Sequence, residues 1–271
     1  MQTIMRKLLF EFILFVLVLG SVWFTLAQID WMTIFKVEHA TKSMEEKVGD
    51  LFWNLMKKSE TEITSASLVS PIDSMLNRIC AKNKIDRERI KIHFIKKDEI
   101  NAFALPNHHL IVYSGLINAC ENESELCGVL CHELAHMEKN HIMNKLIKDV
   151  GLSLLISMST GNGNSEMVQA AIKQLSSTAY DRSLESEADM TGADYLIKAN
   201  IDPEPFANFL YRLSNNTENL PSQIHWISTH PDSKMRAEKI IEHIKNRNFI
   251  KTPILRDSEW NLLKSKLKEN E

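Results

Sequence analysis

The chain has 271 residues, a net charge of −3 at pH 7 and 44% hydrophobic residues. This length is enough for one catalytic domain with a sizeable core and short appendages. Its 32 lysines and arginines are dispersed along the sequence, which excludes the clustered basic patch typical of nucleic-acid-binding proteins, so no nucleic-acid partner is expected.

The N-terminal segment, residues 1–30, is predicted to be a transmembrane signal anchor. Arg6 and Lys7 precede the apolar stretch Leu8–Ile29, whose only charged residue is Glu11. About 20 apolar residues are enough to span a bilayer as a helix. Because basic residues stay on the cytoplasmic side, the rest of the chain is expected on the periplasmic side of the inner membrane, as a single-pass protein.

A cleaved signal peptide is the alternative interpretation of the same segment. Thr25-Leu26-Ala27 is an acceptable cleavage site, and cleavage would release the protein into the periplasm. The apolar stretch is longer than the usual apolar region of a signal peptide, which favours a retained anchor. Both interpretations export the rest of the chain.

The region after the anchor predicts helices followed by a small sheet. Residues 31–64 form an amphipathic lead-in, whose helix at 41–60 carries apolar residues at helical spacing. A second helix is predicted at Pro71–Lys82. Alternating apolar and polar residues predict a strand at Ile90–Ile95, and a hairpin at Asn101–Tyr113 follows it.

An HExxH motif, HELAH, occupies residues 132–136 within a predicted helix, Glu123–His141. Positions i and i+4 share one helix face, so His132 and His136 can bind a single zinc ion. Glu133 then lies beside the metal-bound water and is the candidate general base of a zinc peptidase. The alternative is a surface helix with two solvated histidines, which the apolar residues around the motif disfavour.

A third zinc ligand is needed, because a catalytic zinc site usually has three protein ligands and an open position. His141 is rejected, since five residues after His136 it is rotated by about 140° on a continuous helix. The better candidate is Glu185, with Asp189 four residues later on the same face. Glu185 would bind zinc, and Asp189 would accept a hydrogen bond from the free ring nitrogen of a ligating histidine. The alternative is an acidic, solvated helix face.

The remaining sequence is predicted to be helical, with connecting loops. The apolar part of Val150–Ser165 is too short for a membrane span, so the segment is interpreted as a helix end and a flexible loop. The catalytic domain is assigned to residues 65–248 and a helical tail to 249–271. Further helices are predicted at 166–178, from Asp202-Pro203, at Ser233–Arg247 and at Trp260–Leu267, with a loop at Leu220–Pro231. The fold class is therefore α+β, mainly helical, with a small antiparallel sheet.

The four cysteines give no firm disulfide pattern. Cys131 points about 100° away from His132 on the helix, so it is not expected to share a metal with that histidine. Buried free thiols are the default interpretation. If the domain is exported, a disulfide between Cys80 and Cys120 is an alternative.

Four motifs occur in order along the chain. They are NAFALP at 101–106 with IVYSGL at 111–116, HELAH at 132–136, RSLESEAD at 182–189, and THP at 229–231 with Arg236. Together they resemble the zinc metallopeptidases grouped with the CAAX prenyl protease and the HtpX heat-shock peptidase, which include the BepA type (the forty-eighth peptidase family of the metallo class). The resemblance covers roughly residues 65–245 and implies a zincin-type domain. One departure is the hairpin turn, where the usual Gly-Gly is Asn107-His108.

The resemblance implies that one zinc ion per chain is bound by His132, His136 and Glu185, with Glu133 as the base. It also implies that His230 lies near the metal, where it contacts substrate, helps to stabilise the oxyanion or fills a metal position at rest.

Two further roles follow from the resemblance. Arg236 is expected to brace the region around the metal. The segment Asn101, Ala102, Phe103 and Ala104 resembles the edge strand that aligns the peptide substrate. A peptide added to such an edge would be recognised mainly through its backbone.

These expectations converge on a membrane-anchored zinc endopeptidase that hydrolyses misfolded or unassembled envelope proteins. An alternative is a chaperone-like or gated holdase or assembly factor that uses the same zinc cleft. A prenyl-protein protease is a third class, but a single predicted span provides no membrane chamber for a lipidated tail. The expected partners are polypeptides and, through the N-terminal helix, the membrane, whereas the sequence does not indicate an oligomeric state.

Overall fold

The computed structural model describes residues 15, 17, 20, 21, 37–215 and 225–269. Residues Met44–Glu271 form one unit and Met1–Ser43 another. The expected signal anchor, residues 1–30, lies outside the described residues apart from those four isolated positions. Within the described part of the chain, no helix combines the length and the apolar character needed to cross a membrane.

Helices make up most of the described structure. In chain order they are α1 Val37–Ser59, α2 Ala66–Asn83, α3 Ser114–Ala119, α4 Glu123–Glu138, α5 His141–Asp149, α6 Leu152–Ser159, α7 Ser165–Ser177, α8 Arg182–Lys198, α9 Glu204–Asn215, α10 His225–Thr229, α11 Ser233–Ile244 and α12 Asp257–Glu269. The strands are β1 Lys91–Ile95, β2 Ala102–Leu105 and β3 His109–Tyr113, and a 3-10 turn at Arg87–Arg89 precedes them. The prediction of a mainly helical α+β fold is confirmed.

The sheet is mixed rather than antiparallel. Its strand order is β1-β3-β2. The hairpin strands β2 and β3 are antiparallel, with Ala102 opposite Val112, but β1 runs parallel to β3, with Lys91 opposite His109. The prediction of an antiparallel sheet was therefore wrong for β1. It assumed that strands adjacent in sequence are adjacent in the sheet, whereas β3 lies between β1 and β2.

The hairpin turn keeps a left-handed backbone although it contains no glycine. Asn107 and His108 both have positive φ angles, 59° and 58°. Asparagine adopts this conformation more readily than most residues. The Asn107 side-chain amide also donates a hydrogen bond of 2.9 Å to Asp50 Oδ1 of α1. Asn107 and His108 therefore keep the turn that Gly-Gly would form, and Asn107 also connects the hairpin to helix α1.

Helix α2 begins earlier than the sequence predicted. It starts at Ala66, so Pro71 lies inside the helix rather than at its first residue. The added turn contributes Leu68, which is buried on the same face as Ile72 and Met75. The apolar spacing of these three residues extends the buried face, and this packing outweighs the break that proline usually introduces.

The HExxH helix ends sooner than the sequence predicted. Helix α4 ends at Glu138, Asn140 adopts a left-handed conformation with φ of 57°, and His141 begins the separate helix α5. The region Val150–Ser165, which was expected to be a helix end and a loop, contains the independent helix Leu152–Ser159. Both differences arise at turns that apolar spacing alone does not reveal.

Helix α4 is the centre of the core, because α8, α9 and β2 all pack against it. Two glycines permit the close approach of its neighbours. A Cβ atom at Gly128 would lie 2.3 Å from the Cβ of Phe206 on α9, and one at Gly192 on α8 would lie 3.2 Å from the His132 amide nitrogen. The α4–α8 contact therefore brings the downstream acidic helix directly against the HExxH motif.

The cysteines contribute to this core as free thiols. Cys80, Cys120, Cys127 and Cys131 are all buried, and no disulfide joins them. Burial raises the pKa of the Cys80 thiol to about 11. This agrees with the default interpretation from sequence and leaves the Cys80–Cys120 alternative without support in this structure.

Candidate metal centre

Three elements of the chain bring four potential metal ligands together. Helix α4 supplies His132 and His136, α8 supplies Glu185, and His230 follows α10. One ligand atom from each residue lies within 4.8 Å of the other three. All four side chains are buried, with at most 2% of any residue exposed. The structure therefore brings together side chains from positions up to 98 residues apart.

The distances between these ligand atoms suit zinc. The Nε2 atoms of His132 and His136 are 3.0 Å apart, and Glu185 Oε1 lies 3.4 Å from His136 Nε2. Ligands about 2.0–2.1 Å from zinc in a tetrahedron lie about 3.3–3.4 Å from one another. Glu185 Oε2 is buried without a hydrogen bond of regular geometry and lies 2.8 Å from Arg236 Nη1, so the carboxylate already faces one positive charge. Two imidazoles and one carboxylate are a ligand set typical of catalytic zinc.

His230 occupies the remaining side of the cluster. Its Nδ1 lies 2.8 Å from Glu185 Oε1 and 3.2 Å from His132 Nε2, while its Nε2 lies 3.4 Å from Glu133 Oε1. Burial alone would lower the pKa of His230, but the carboxylates of Glu185 and Glu133 outweigh it and raise this pKa to about 9. A bound divalent cation would reverse that effect, because it replaces the positive charge of the imidazolium.

The carboxylate of Glu133 is held beside the cluster in its ionised form. Its Oε1 accepts a hydrogen bond of 3.3 Å from Trp226 Nε1. Burial would raise the pKa of Glu133, but the nearby His230 outweighs burial and the pKa is lowered. An ionised carboxylate next to the ligands of a metal can accept a proton, as a general base must.

Asp189 and Arg236 support the cluster from behind His132. Asp189 Oδ1 lies 3.0 Å from His132 Nδ1, and Arg236 donates two hydrogen bonds of 2.7 Å to the Asp189 carboxylate. Burial would raise the pKa of Asp189, but Arg236 outweighs it and lowers this pKa to about 2. The ionised carboxylate can therefore accept a hydrogen bond from His132 Nδ1–H, which leaves the Nε2 lone pair directed at the cluster.

Arg236 also reaches two other members of the site. Its Nη1 donates to the His230 backbone carbonyl at 3.0 Å and lies 2.8 Å from Glu185 Oε2. This guanidinium therefore contacts Glu185 and Asp189 of α8 and the segment that carries His230.

The expected substrate strand lies close to the site. Ala102, Phe103 and Ala104 belong to β2, which is an edge strand of the described sheet and packs against α4. Asn101 precedes it and accepts a hydrogen bond of 3.1 Å at its carbonyl from Tyr113 N. The strand lies at an edge of the described sheet, but residues 101–104 are at most 5% exposed, so this edge is covered here and its use by substrate stays a prediction.

Two aromatic residues in the site were not anticipated from the sequence. The Tyr180 ring lies over His136, with ring centroids 4.1 Å apart, and is stacked on His230 at 5.6 Å. Trp226 lies 4.7 Å from the ring of His230 and donates to Glu133. The only signal for Tyr180 is its position just before the RSLESEAD motif, and none marks Trp226.

The removal of Arg236 is expected to destabilise the fold strongly. The substitution Arg236→Gln would leave Asp189 as a buried carboxylate without its counter-charge, which costs about 3–5 kcal/mol in the free energy of unfolding. Urea denaturation of the metal-free protein measures this loss. The control is Arg247→Gln, which removes a half-exposed ion pair with Asp194 and should cost less than about 1 kcal/mol. Equal losses in the two variants would contradict the central role of Arg236.

Comparison with known proteins identifies the family of this chain. Residues 69–244 match the model of Peptidase family M48. A beta-barrel assembly-enhancing protease of Yersinia pestis is 26% identical over 225 residues, which cover 75% of this chain and 46% of that protein. The mitochondrial metalloendopeptidase OMA1 of Schizosaccharomyces pombe is 26% identical over 173 residues, 63% of this chain and 51% of that protein.

A third relative, the mitochondrial metalloendopeptidase OMA1 of Bos taurus, is 29% identical over 163 residues, 55% of this chain and 31% of that protein. The chain spans about half or less of the length of these curated relatives. The family model covers most of the chain, and the His-His-Glu-His cluster lies within the matched residues. The chain therefore belongs to peptidase family M48, and its four-residue His/Glu cluster is consistent with zinc.

Proposed function

We propose that this peptidase is anchored in the inner membrane and cleaves misfolded or unassembled proteins of the cell envelope, with one zinc ion per chain. The observation that carries the proposal is the buried cluster of His132, His136 and Glu185 beside the ionised Glu133. The similarity to the Yersinia pestis beta-barrel assembly-enhancing protease supports an envelope substrate.

The chemistry follows from the arrangement of the side chains. His132, His136 and Glu185 would hold the zinc ion, which when bound supplies Lewis acidity to a water molecule and to the scissile carbonyl. The Glu133 carboxylate accepts the proton of the attacking water and then delivers it to the leaving amine. His230 donates a hydrogen bond to the oxygen that gains negative charge.

The edge position of β2 in the described sheet supports the choice of substrate. An extended peptide that adds to Asn101–Ala104 would form backbone hydrogen bonds, with modest selectivity for side chains. Folded proteins seldom offer a free extended segment, whereas misfolded or unassembled ones do. The edge therefore favours unfolded polypeptides over compact substrates.

The substitution Glu133→Gln is expected to retain zinc and lose hydrolysis, because the amide keeps the volume of the side chain but cannot accept the proton. The rate of casein cleavage by the full chain in detergent should fall by at least about 100-fold. The matched control is Glu138→Gln, an exposed glutamate on the same helix, which should cleave at the wild-type rate. Metal content is measured in parallel, and normal turnover by the Glu133 variant would refute this mechanism.

A gated or holdase function is the second candidate, and the burial of the cluster favours it. His132 and His136 are fully buried, and Nδ1 of His230 lies 2.8 Å from Oε1 of Glu185, a candidate ligand. Among the described residues, the four members of the cluster are at most 2% exposed, so this form offers a substrate carbonyl little access to them. His230 would then act as an internal occupant of the site that has to leave before cleavage begins.

The substitution His230→Ala separates the two candidates. If His230 stabilises the oxyanion, casein cleavage should fall by about 100-fold with zinc retained, which is the result we expect. A rise in cleavage would instead support a gate. Suppression of casein aggregation by Glu133→Gln at the wild-type level, without cleavage in the wild type, would support a holdase.

The proposed location rests on the sequence of residues 1–30. Two basic residues before a long apolar stretch favour an uncleaved anchor with an exported domain. We expect the full chain to remain in the membrane fraction after alkaline carbonate extraction, with its N-terminal residues present by intact mass. A shorter chain in the soluble periplasmic fraction would show that the segment is a cleaved signal peptide.

A further inference from the structure

His141 lies against the back of a candidate zinc ligand. Its Nδ1 is 3.0 Å from Nδ1 of His136, although a continuous helix would place the two side chains on different faces. The turn at Lys139 and Asn140 makes the contact, because Asn140 is left-handed and restarts the helix in a new direction. His141 is only 2% exposed.

The direction of this hydrogen bond is fixed by the cluster. Nε2 of His136 faces the other candidate ligands, with His132 Nε2 at 3.0 Å, so it has to present its lone pair there. The ring proton of His136 is then on Nδ1, and Nδ1 donates to Nδ1 of His141. His141 in turn carries its proton on Nε2.

The second nitrogen of His141 has an acceptor at the correct place. Its Nε2 lies 3.5 Å from Glu187 Oε2, and Lys139 Nζ lies 2.9 Å from the other oxygen of that carboxylate. Glu187 belongs to α8, like Glu185, but it lies at the surface with 45% of its side chain exposed. A carboxylate in this position favours the tautomer of His141 that accepts from His136.

We propose that His141 is a positioning residue for the metal site, which orients His136 and fixes its tautomer, with Glu187 fixing the tautomer of His141. The proposal rests on the proposed role of His136 as a zinc ligand. His132 receives the corresponding support from Asp189, a buried carboxylate paired with Arg236. The two ligating histidines are thus supported unequally, one by a buried charge and the other by a neutral ring that leads to the surface.

The competing explanation is packing alone. The rings of His136 and His141 lie edge to face with centroids 5.0 Å apart, so His141 also fills space behind its neighbour. A packing role requires volume at position 141, whereas a positioning role requires an acceptor for the proton of His136. The two roles therefore respond differently to substitutions that keep volume and to those that keep an acceptor.

The test compares His141→Leu with His141→Asn in the full chain in detergent. Leucine fills the space without an acceptor, while the side-chain oxygen of asparagine can occupy the place of Nδ1. We expect zinc affinity, measured by competition with a chromophoric chelator, to fall about 10- to 100-fold in the leucine variant. The asparagine variant should stay close to wild type, and the melting temperatures of both metal-free variants should agree.

Several results would overturn the proposal. Wild-type zinc affinity in His141→Leu would show that no acceptor is needed, and equal losses in both variants, matched by lower metal-free melting temperatures, would show a packing role. If the leucine variant does not fold, Glu187→Ala replaces it. This surface change should weaken zinc binding several-fold without affecting folding. Unchanged zinc affinity in Glu187→Ala would contradict the proposal. A wild-type chain that binds no zinc would instead refute the proposed function.

Discussion

Charge balance among buried side chains is the constraint on which the rest of this structure depends. Glu133, Glu185 and Asp189 are three carboxylates with at most 2% exposure, and burial opposes the ionised form of each. They nevertheless have lowered pKa values, because positive groups surround them. Arg236 supplies one positive charge, and a divalent cation would supply the remaining two.

This balance also explains the position of His230. In the metal-free protein, the carboxylates of Glu185 and Glu133 raise the pKa of His230 to about 9, so its imidazolium supplies positive charge to the same cluster. A zinc ion and a protonated His230 compete for the same carboxylates and the same space. The same two carboxylates, Glu185 and Glu133, therefore underlie both interpretations of His230, as a hydrogen-bond donor to the oxyanion and as an occupant that blocks the metal site.

The sequence predicted the parts of the site that depend on a single helix. His132 with His136, and Glu185 with Asp189, are four residues apart, and the period of a helix alone places each pair on one face. The same reasoning failed at His141, because it assumed a continuous helix where a left-handed Asn140 ends one. Its rejection as a ligand rested on that incorrect premise, and the structure instead places it behind His136.

Features that depend on contacts between residues distant in sequence were harder to predict from the sequence. The sheet order could not be read from strand patterns, because the parallel pairing of β1 with β3 is decided by tertiary packing. Trp226 lies in a region expected to be a loop, and nothing in its local sequence indicates that its indole donates to Glu133. His230 and Arg236 came from family resemblance alone, since their contacts with α8 span 45 and 47 residues.

The segment that carries His230 also connects the metal centre to the substrate edge. Trp226 N donates to the carbonyl of Ile100, just before β2, and Tyr180 N donates to the carbonyl of Thr229. A backbone movement of this segment away from Glu185 would have to break these bonds or carry Ile100 and Tyr180 with it, because Thr229 and His230 are adjacent. Loss of the Trp226 contact would free a backbone carbonyl beside the edge strand and release a donor from Glu133. Such a backbone movement would therefore couple opening of the metal site to the candidate peptide-binding edge and to Glu133, the candidate general base.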